Sequence, residues 1–172
     1  MGDLVKGALA GAAAVWVMDR ADWFAFTYED PEARRRTEQV RPGGLDPSHV
    51  AVNRVAEMAG VQLSPRQPHP AGIALHYGLG IGPSALYAAG LRDRMAGLGM
   101  ARGPLFGLGL FLVQDEGLNA LSGLSAPPGE YPWQAHARGL LAHLVLGTVV
   151  DLALGVMGAG RSSRRSRHAR GH

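Results

Sequence analysis

The chain has 172 residues, with 25 glycines, no cysteine, 47% hydrophobic and only 18% charged residues, and a formal net charge of +3. Without cysteine there is no disulfide scaffold, thiolate zinc site, Cys-ligated iron–sulfur cluster or Cys nucleophile. Glycine at about twice its usual share, and charge well below the usual quarter of residues, do not suit an ordinary soluble surface.

Four apolar stretches approach the roughly 20 residues that cross a bilayer as a helix: 4–26, 71–91, 103–126 and 139–160. The first joins an Ala-rich front half to Asp19, Arg20 and Asp22, and its Trp16, Trp23, Phe24, Phe26 and Tyr28 suit a boundary with lipid headgroups. A cleaved signal peptide is the rival reading. The segment after Val17, MDRADW, lacks a small-x-small cleavage site, so the stretch is kept as a span.

A long polar connection, 27–70, follows. Its run Arg34, Arg35 and Arg36 stands among Glu29, Asp30, Glu32 and Glu38 and reads as a solvated, self-paired helix start. Asp46 as N-cap, Pro47 at the first helical position and Gly60 as the stop predict a helix over about 47–59 with a modest apolar face.

The stretch 71–91 is the cleanest span, with His76 its one ionisable side chain before the end and Pro83 inside it. Proline lacks the N–H and clashes with the preceding turn, so a kink and a freed carbonyl near residue 79 are expected. The third and fourth spans are interrupted by Asp115 and Glu116 and by Asp151. The tail 161–172 has no apolar anchor and is expected to be disordered. Arg161, Arg164, Arg165 and Arg167 in it are expected to contact anionic headgroups, at about 1 kcal/mol each. No aromatic residues interleave with those arginines, so nucleic acid is not an expected partner.

The expected fold class is therefore all-α: an integral membrane four-helix bundle over 1–160, with one amphipathic helix in the long first loop. Lys6, Arg92, Arg94, Arg102 and the tail arginines lie on one side, mostly in short connections, which points to cytoplasmic termini. Lipid offers helices no hydrophobic reason to associate, so small residues must let the backbones meet. The spacing small-xxx-small recurs at Gly7/Gly11, Gly78/Gly82, Ala85/Ala89 and Gly103/Gly107, and these faces could also receive a second copy or another membrane protein.

Ionisable groups inside spans are costly and usually face the bundle interior. Asp19, Arg20, His76, Asp115, Glu116, Asn119 and His143 all fall roughly 6–16 Å from span ends on the long-loop side, although antiparallel helices need not agree in this way. His136 and His143 share one face, and Arg20 stands one turn after Trp16, within cation–π reach. One consistent pairing sets Arg20 against Asp115 or Glu116 and leaves the histidines the other acids.

The layer has three open readings. It fixes the packing, it responds to or conducts protons because imidazole beside carboxylate titrates near neutrality, or it holds a metal or haem through His76, Glu116 and His143. With no P-loop, Gly-x-Ser-x-Gly, His-Glu-x-x-His or dinucleotide fingerprint, no catalytic residue is assigned and no cofactor is expected. At the level of the whole chain the alternatives are a proton-responsive membrane protein, an accessory subunit of a larger membrane complex, and a metal- or haem-binding membrane protein.

Gly7-Ala8-Leu9-Ala10-Gly11, His76-Tyr77 followed by Gly80 and Tyr87, Gly103-Pro104-Leu105-Phe106-Gly107 leading to Asp115-Glu116, and His143 with Gly147 together resemble the YagU-like family of small bacterial inner-membrane proteins. The likeness implies a multi-helix protein of the bacterial cytoplasmic membrane with a link to acid tolerance.

Overall fold

Proline and aspartate set the helix starts. The computed structural model describes residues 1–159, and the regular structure among them is helical throughout. Helix α1, Asp3–Tyr28, is followed by α2, Pro31–Val40, where the Asp30 carboxylate accepts from the Glu32 and Ala33 N–H groups at 2.9 and 3.0 Å. Helix α3, Pro47–Met58, starts as the Asp46-Pro47 pair predicts. It stops at Gly60, whose φ of +74° lets the Val61 N–H turn back to the Ala56 carbonyl at 2.8 Å.

Helix α4 is α-helical over Pro70–Leu86, widens to a π-helix over Tyr87–Leu91 and closes with Arg92–Arg94. Helix α5 begins at Arg102–Leu110, passes through a π-helical stretch, Phe111–Leu118, and ends at Asn119–Leu121. Helix α6 is Trp133–Val156. The long connection therefore holds, besides the expected amphipathic helix, the helix that the Arg34–Arg36 run starts. Helix α2 carries the same Asp-Pro start as α3 and is not wholly solvated, since Ala33 and Thr37 are buried.

Helices α1 and α6 form the centre: α1 packs on α4 and on α6, α6 packs on α5, and α3 lies against α4. Neighbours run in opposite directions. Gly7 of α1 meets Ser84 and Ala85 of α4, and Gly103 of α5 meets Gly147 and Thr148 of α6. A methyl group on Gly7 would stand 2.6 Å from backbone atoms of both α4 residues, so only glycine permits this approach. The pair Gly78/Gly82, equally spaced in sequence, faces outward with nothing within 4 Å, and Ala89 is exposed.

The interior is small and mostly apolar, with Ala14, Val15, Tyr87, Leu146, Val150 and Leu154 almost wholly buried. The exterior is unusually apolar: Trp16, Trp23, Phe24, Leu112, Leu141 and Leu152 are all exposed. Two helical stretches, Ala96–Leu121, in which the 3-10 segment Ala96–Ala101 runs into α5, and α6, Trp133–Val156, are long and apolar enough to cross a membrane by length and composition. In α1 the charges at Asp19, Arg20 and Asp22 break the apolar run, and in α4 the α-helical stretch is 17 residues long before the π segment interrupts it.

Pro83 frees the Leu79 carbonyl as expected, and the side-chain amide of Gln114 on α5 donates to it at 3.3 Å. The backbone defect thus becomes a cross-link between α4 and α5. The arginines Arg161, Arg164, Arg165 and Arg167, and the expected disordered tail, lie outside the described residues.

Candidate functional site

The close α1/α4 and α5/α6 contacts bring polar side chains of different helices together at the end of the bundle that carries the long loop. On the α1/α4 seam, His76 Nε2 stands 2.9 Å from Asp19 Oδ1. On the α5/α6 seam, His136 Nδ1 stands 2.6 Å from Glu116 Oε1, and its Nε2 stands 3.0 Å from the Pro128 carbonyl. Only a doubly protonated ring donates to both acceptors; a neutral one turns a lone pair toward one of them. One step deeper, His143 Nδ1 donates to the Gly139 carbonyl at 2.9 Å and lies 3.6 Å from Asp115 Oδ2, which Asn119 Nδ2 approaches on the other oxygen at 3.5 Å.

The sequence-level candidates thus sort into three imidazole–carboxylate pairs. Arg20 stands apart from them: its guanidinium lies over the Trp16 ring, 5.0 Å from the centroid, as the one-turn spacing predicted. Its proposed pairing with Asp115 or Glu116 is not made. The cation on the α1/α6 seam is Arg138, whose Nε donates to Glu29 at 2.9 Å and whose Nη1 donates to Asp22 at 2.7 Å. The Phe26 ring lies between Arg138 and Arg34 of α2, 5.3 and 5.2 Å from its centroid. The sequence signal for this tie is a single arginine, Arg138, five residues before His143 on a mostly apolar helix.

His76, Glu116 and His143, the set considered for a metal, go to different partners. Among the described residues no group of three or more His, Cys, Asp or Glu side chains is gathered to hold a metal ion.

Two further polar clusters lie off this layer. At the opposite end Asp151 Oδ1 accepts from Tyr87 Oη at 3.0 Å and from the Nε of both Arg92 and Arg102 at 2.8 Å, while Arg92 Nη1 caps the Ala159 carbonyl at 3.0 Å. Tyr87 stacks on Phe106 at 4.3 Å between centroids. In sequence these arginines register only as orientation signals; the acid they meet lies 59 residues beyond Arg92 and 49 beyond Arg102.

The second cluster joins the loop to α4. The Asp46 carboxylate receives the His49 ring N–H at 2.8 Å, the Ser48 hydroxyl at 2.7 Å and the His49 backbone N–H at 3.1 Å. The far nitrogen of His49 then accepts the His69 backbone N–H at 3.1 Å, which fixes its tautomer. Burial pushes the Asp46 carboxyl up, but these three donors outweigh it and hold it below its ordinary value.

A depressed carboxyl stabilises the fold above the unfolded-state pKa, about 3.9, and that contribution disappears as pH falls through the folded value. Asp46→Asn keeps a serviceable N-cap but loses the charge-assisted bonds. In detergent at pH 7 it should unfold about 1 kcal/mol more easily than wild type, a figure reduced for partial exposure. The gap should close between pH 4 and pH 2 in denaturation curves followed by circular dichroism; a gap independent of pH contradicts the assignment.

No protein-family model, curated protein or solved structure matches the chain.

Proposed function

We propose that the chain is a multi-pass helical protein of the bacterial cytoplasmic membrane, with cytoplasmic termini, whose histidine–carboxylate layer responds to protons and performs no catalytic step. Two features support the membrane setting. Helix α6 is apolar on its outward side, where Leu141, Leu152 and Val156 are exposed, as well as on its inward side at Leu146, Val150 and Leu154. The bundle also uses glycine contacts, which suit helices packing in lipid.

The observation that carries the proton reading is the repetition of one chemical pair, imidazole beside carboxylate, on two helix seams at the same end. Histidine changes charge between pH 5 and 8, and a carboxylate partner makes that change alter an interhelical bond. The resemblance to YagU-like proteins and their link to acid tolerance point the same way.

The test is titration of ring-labelled histidines by NMR in lipid nanodiscs. The resonance absent from His76→Gln should move as pH is lowered from 8 to 5, together with a change in tryptophan fluorescence. Curves flat over that range defeat the proposal. A second reading, an accessory subunit, draws on the outward Gly78/Gly82 face of α4, which has open space where a partner helix could approach. Stable co-purification of another membrane protein, lost in Gly82→Leu, would favour it.

A further inference from the structure

We infer that the layer senses pH on one side of the membrane, the side of the α2–α3 loop, and does not pass protons across. This rests on the proton-responsive reading just given and concerns its direction.

The two outer pairs of the layer are partly exposed. The side chains of His76 and Asp19 are 38% and 29% exposed, and those of His136 and Glu116 are 31% and 25% exposed. Every charge that faces these rings belongs to the same end. Around His76 the acids are Asp19 from α1, Asp46 from the α3 cap and Asp115 from α5. His136 and His143 face Glu116 and Asp115 of α5, and Arg138 between them on α6 is held by Asp22 and Glu29 of α1.

Beyond His143 the polar path stops. Asp151 stands eight residue steps beyond His143 on α6, about 12 Å of helix. The interior alongside is filled by Ala14, Val15, Leu146 and Val150, each at most 2% exposed. Two hydroxyls fall in this interval, and both are tied to their own helices: Ser84 Oγ donates to the Gly80 carbonyl and Thr148 Oγ1 to the Leu144 carbonyl, each at 2.7 Å. The Gln114 amide reaches only the Leu79 carbonyl, at 3.3 Å, and neither hydroxyl bonds to the layer or to Asp151, so among the described residues no continuous chain of side-chain hydrogen bonds joins the layer to Asp151.

The far end is also electrostatically unsuitable as an exit. Arg92 and Arg102 put two permanent positive charges against the single carboxylate of Asp151. Two arginines on one carboxylate oppose an approaching proton at that carboxylate, as arginines do in proton-excluding pores. The bundle is therefore a half-path, partly exposed at the histidines and closely packed below them.

The experiment uses the full chain in sealed liposomes. A native chain without cysteine makes Met58→Cys, an exposed position at the end of α3, a clean tag for the loop side. An impermeant maleimide then counts the molecules whose loop faces outward. With the interior pH clamped, an external step from pH 7.5 to 5 should shift the His76 and His136 signals in the labelled fraction alone. Under a valinomycin-driven potential, proton entry followed by an enclosed dye should equal that of protein-free vesicles.

Proton entry tenfold above protein-free vesicles and abolished by His76→Gln would overturn the inference while leaving the proton response intact. So would a shift of the histidine signals in labelled and unlabelled molecules alike. Histidines that do not titrate at all in nanodiscs would instead defeat the underlying reading, and this inference with it.

Discussion

Gly147→Ala should be among the most damaging single changes in the chain, costing about 3 kcal/mol in unfolding measured by SDS titration in mixed micelles. A methyl group there would meet the Gly103 carbonyl oxygen, and it would stand 2.6 Å from the Gly107 nitrogen and 2.9 Å from its Cα. All three are backbone atoms of α5, so no side chain can swing aside and the two helices must separate. Overpacking typically costs 1–3 kcal/mol, and the rigid neighbours place this site at the upper end. Separation also loosens His136 and His143 from Glu116 and Asp115, because that seam positions both pairs.

The control is Gly82→Ala, which adds the same methyl where nothing lies within 4 Å. Alanine favours the helix over glycine by up to about 1 kcal/mol in water, so this variant should be neutral or slightly stabilised. Equal losses from the two substitutions would mean that glycine acts through helix propensity or the unfolded state and not through the seam.

That contrast also marks the limit of reading packing from spacing. Gly7/Gly11, Gly78/Gly82 and Gly103/Gly107 are the same signal in sequence, yet only the first and third lie in seams. Which face of a helix turns inward is decided by all its neighbours, and on α4 the inward face carries Gly80, Ser84 and Tyr87. Local chemistry was more legible. The Asp46 cap, the Gly60 stop, the Leu79 carbonyl freed by Pro83 and the Arg20–Trp16 contact each depend on residues within a few positions, and sterics fix them.

The polar layer was legible as a set of residues but not as a set of partners. Depth along a helix follows from the 1.5 Å rise, which is why Asp19, His76, Asp115, Glu116 and His143 could be gathered at one end. Pairing follows from rotation and seam geometry, which the rise does not contain. The π-helical stretch Phe111–Leu118 changes the angular register of α5 where Asp115 and Glu116 sit, so spacing counted at 3.6 residues per turn misplaces them. Arg138 and Arg92 were missed as members of polar clusters for a related reason. An arginine near a span end counts as a topological mark until an acid from another helix is known to meet it.

Asp151→Ala should match the glycine substitution in severity, by a different cause. Arg92 is 7% exposed, and its charge is balanced by an aspartate that also receives Arg102 and the Tyr87 hydroxyl. Removing that carboxylate takes from the buried guanidinium the acid it is bonded to, a change that costs about 3–5 kcal/mol in protein interiors. The Ala159 and Asp151 carbonyls still accept from Arg92, which places the expected loss near 3 kcal/mol in the same SDS titration. Arg102→Gln should lose only about 1 kcal/mol, since its side chain is 24% exposed and Arg92 keeps the acid paired. Joint replacement distinguishes a buried charge from a lost contact. Arg92→Met combined with Asp151→Leu removes both charges, and it should recover at least half of the loss seen in Asp151→Ala, because an apolar pair avoids the desolvation that the ion pair must offset. A double variant as unstable as the single would show that the cluster acts through its hydrogen bonds to Tyr87 and to the end of α6, and that the charge of Arg92 is not what Asp151 is there to balance.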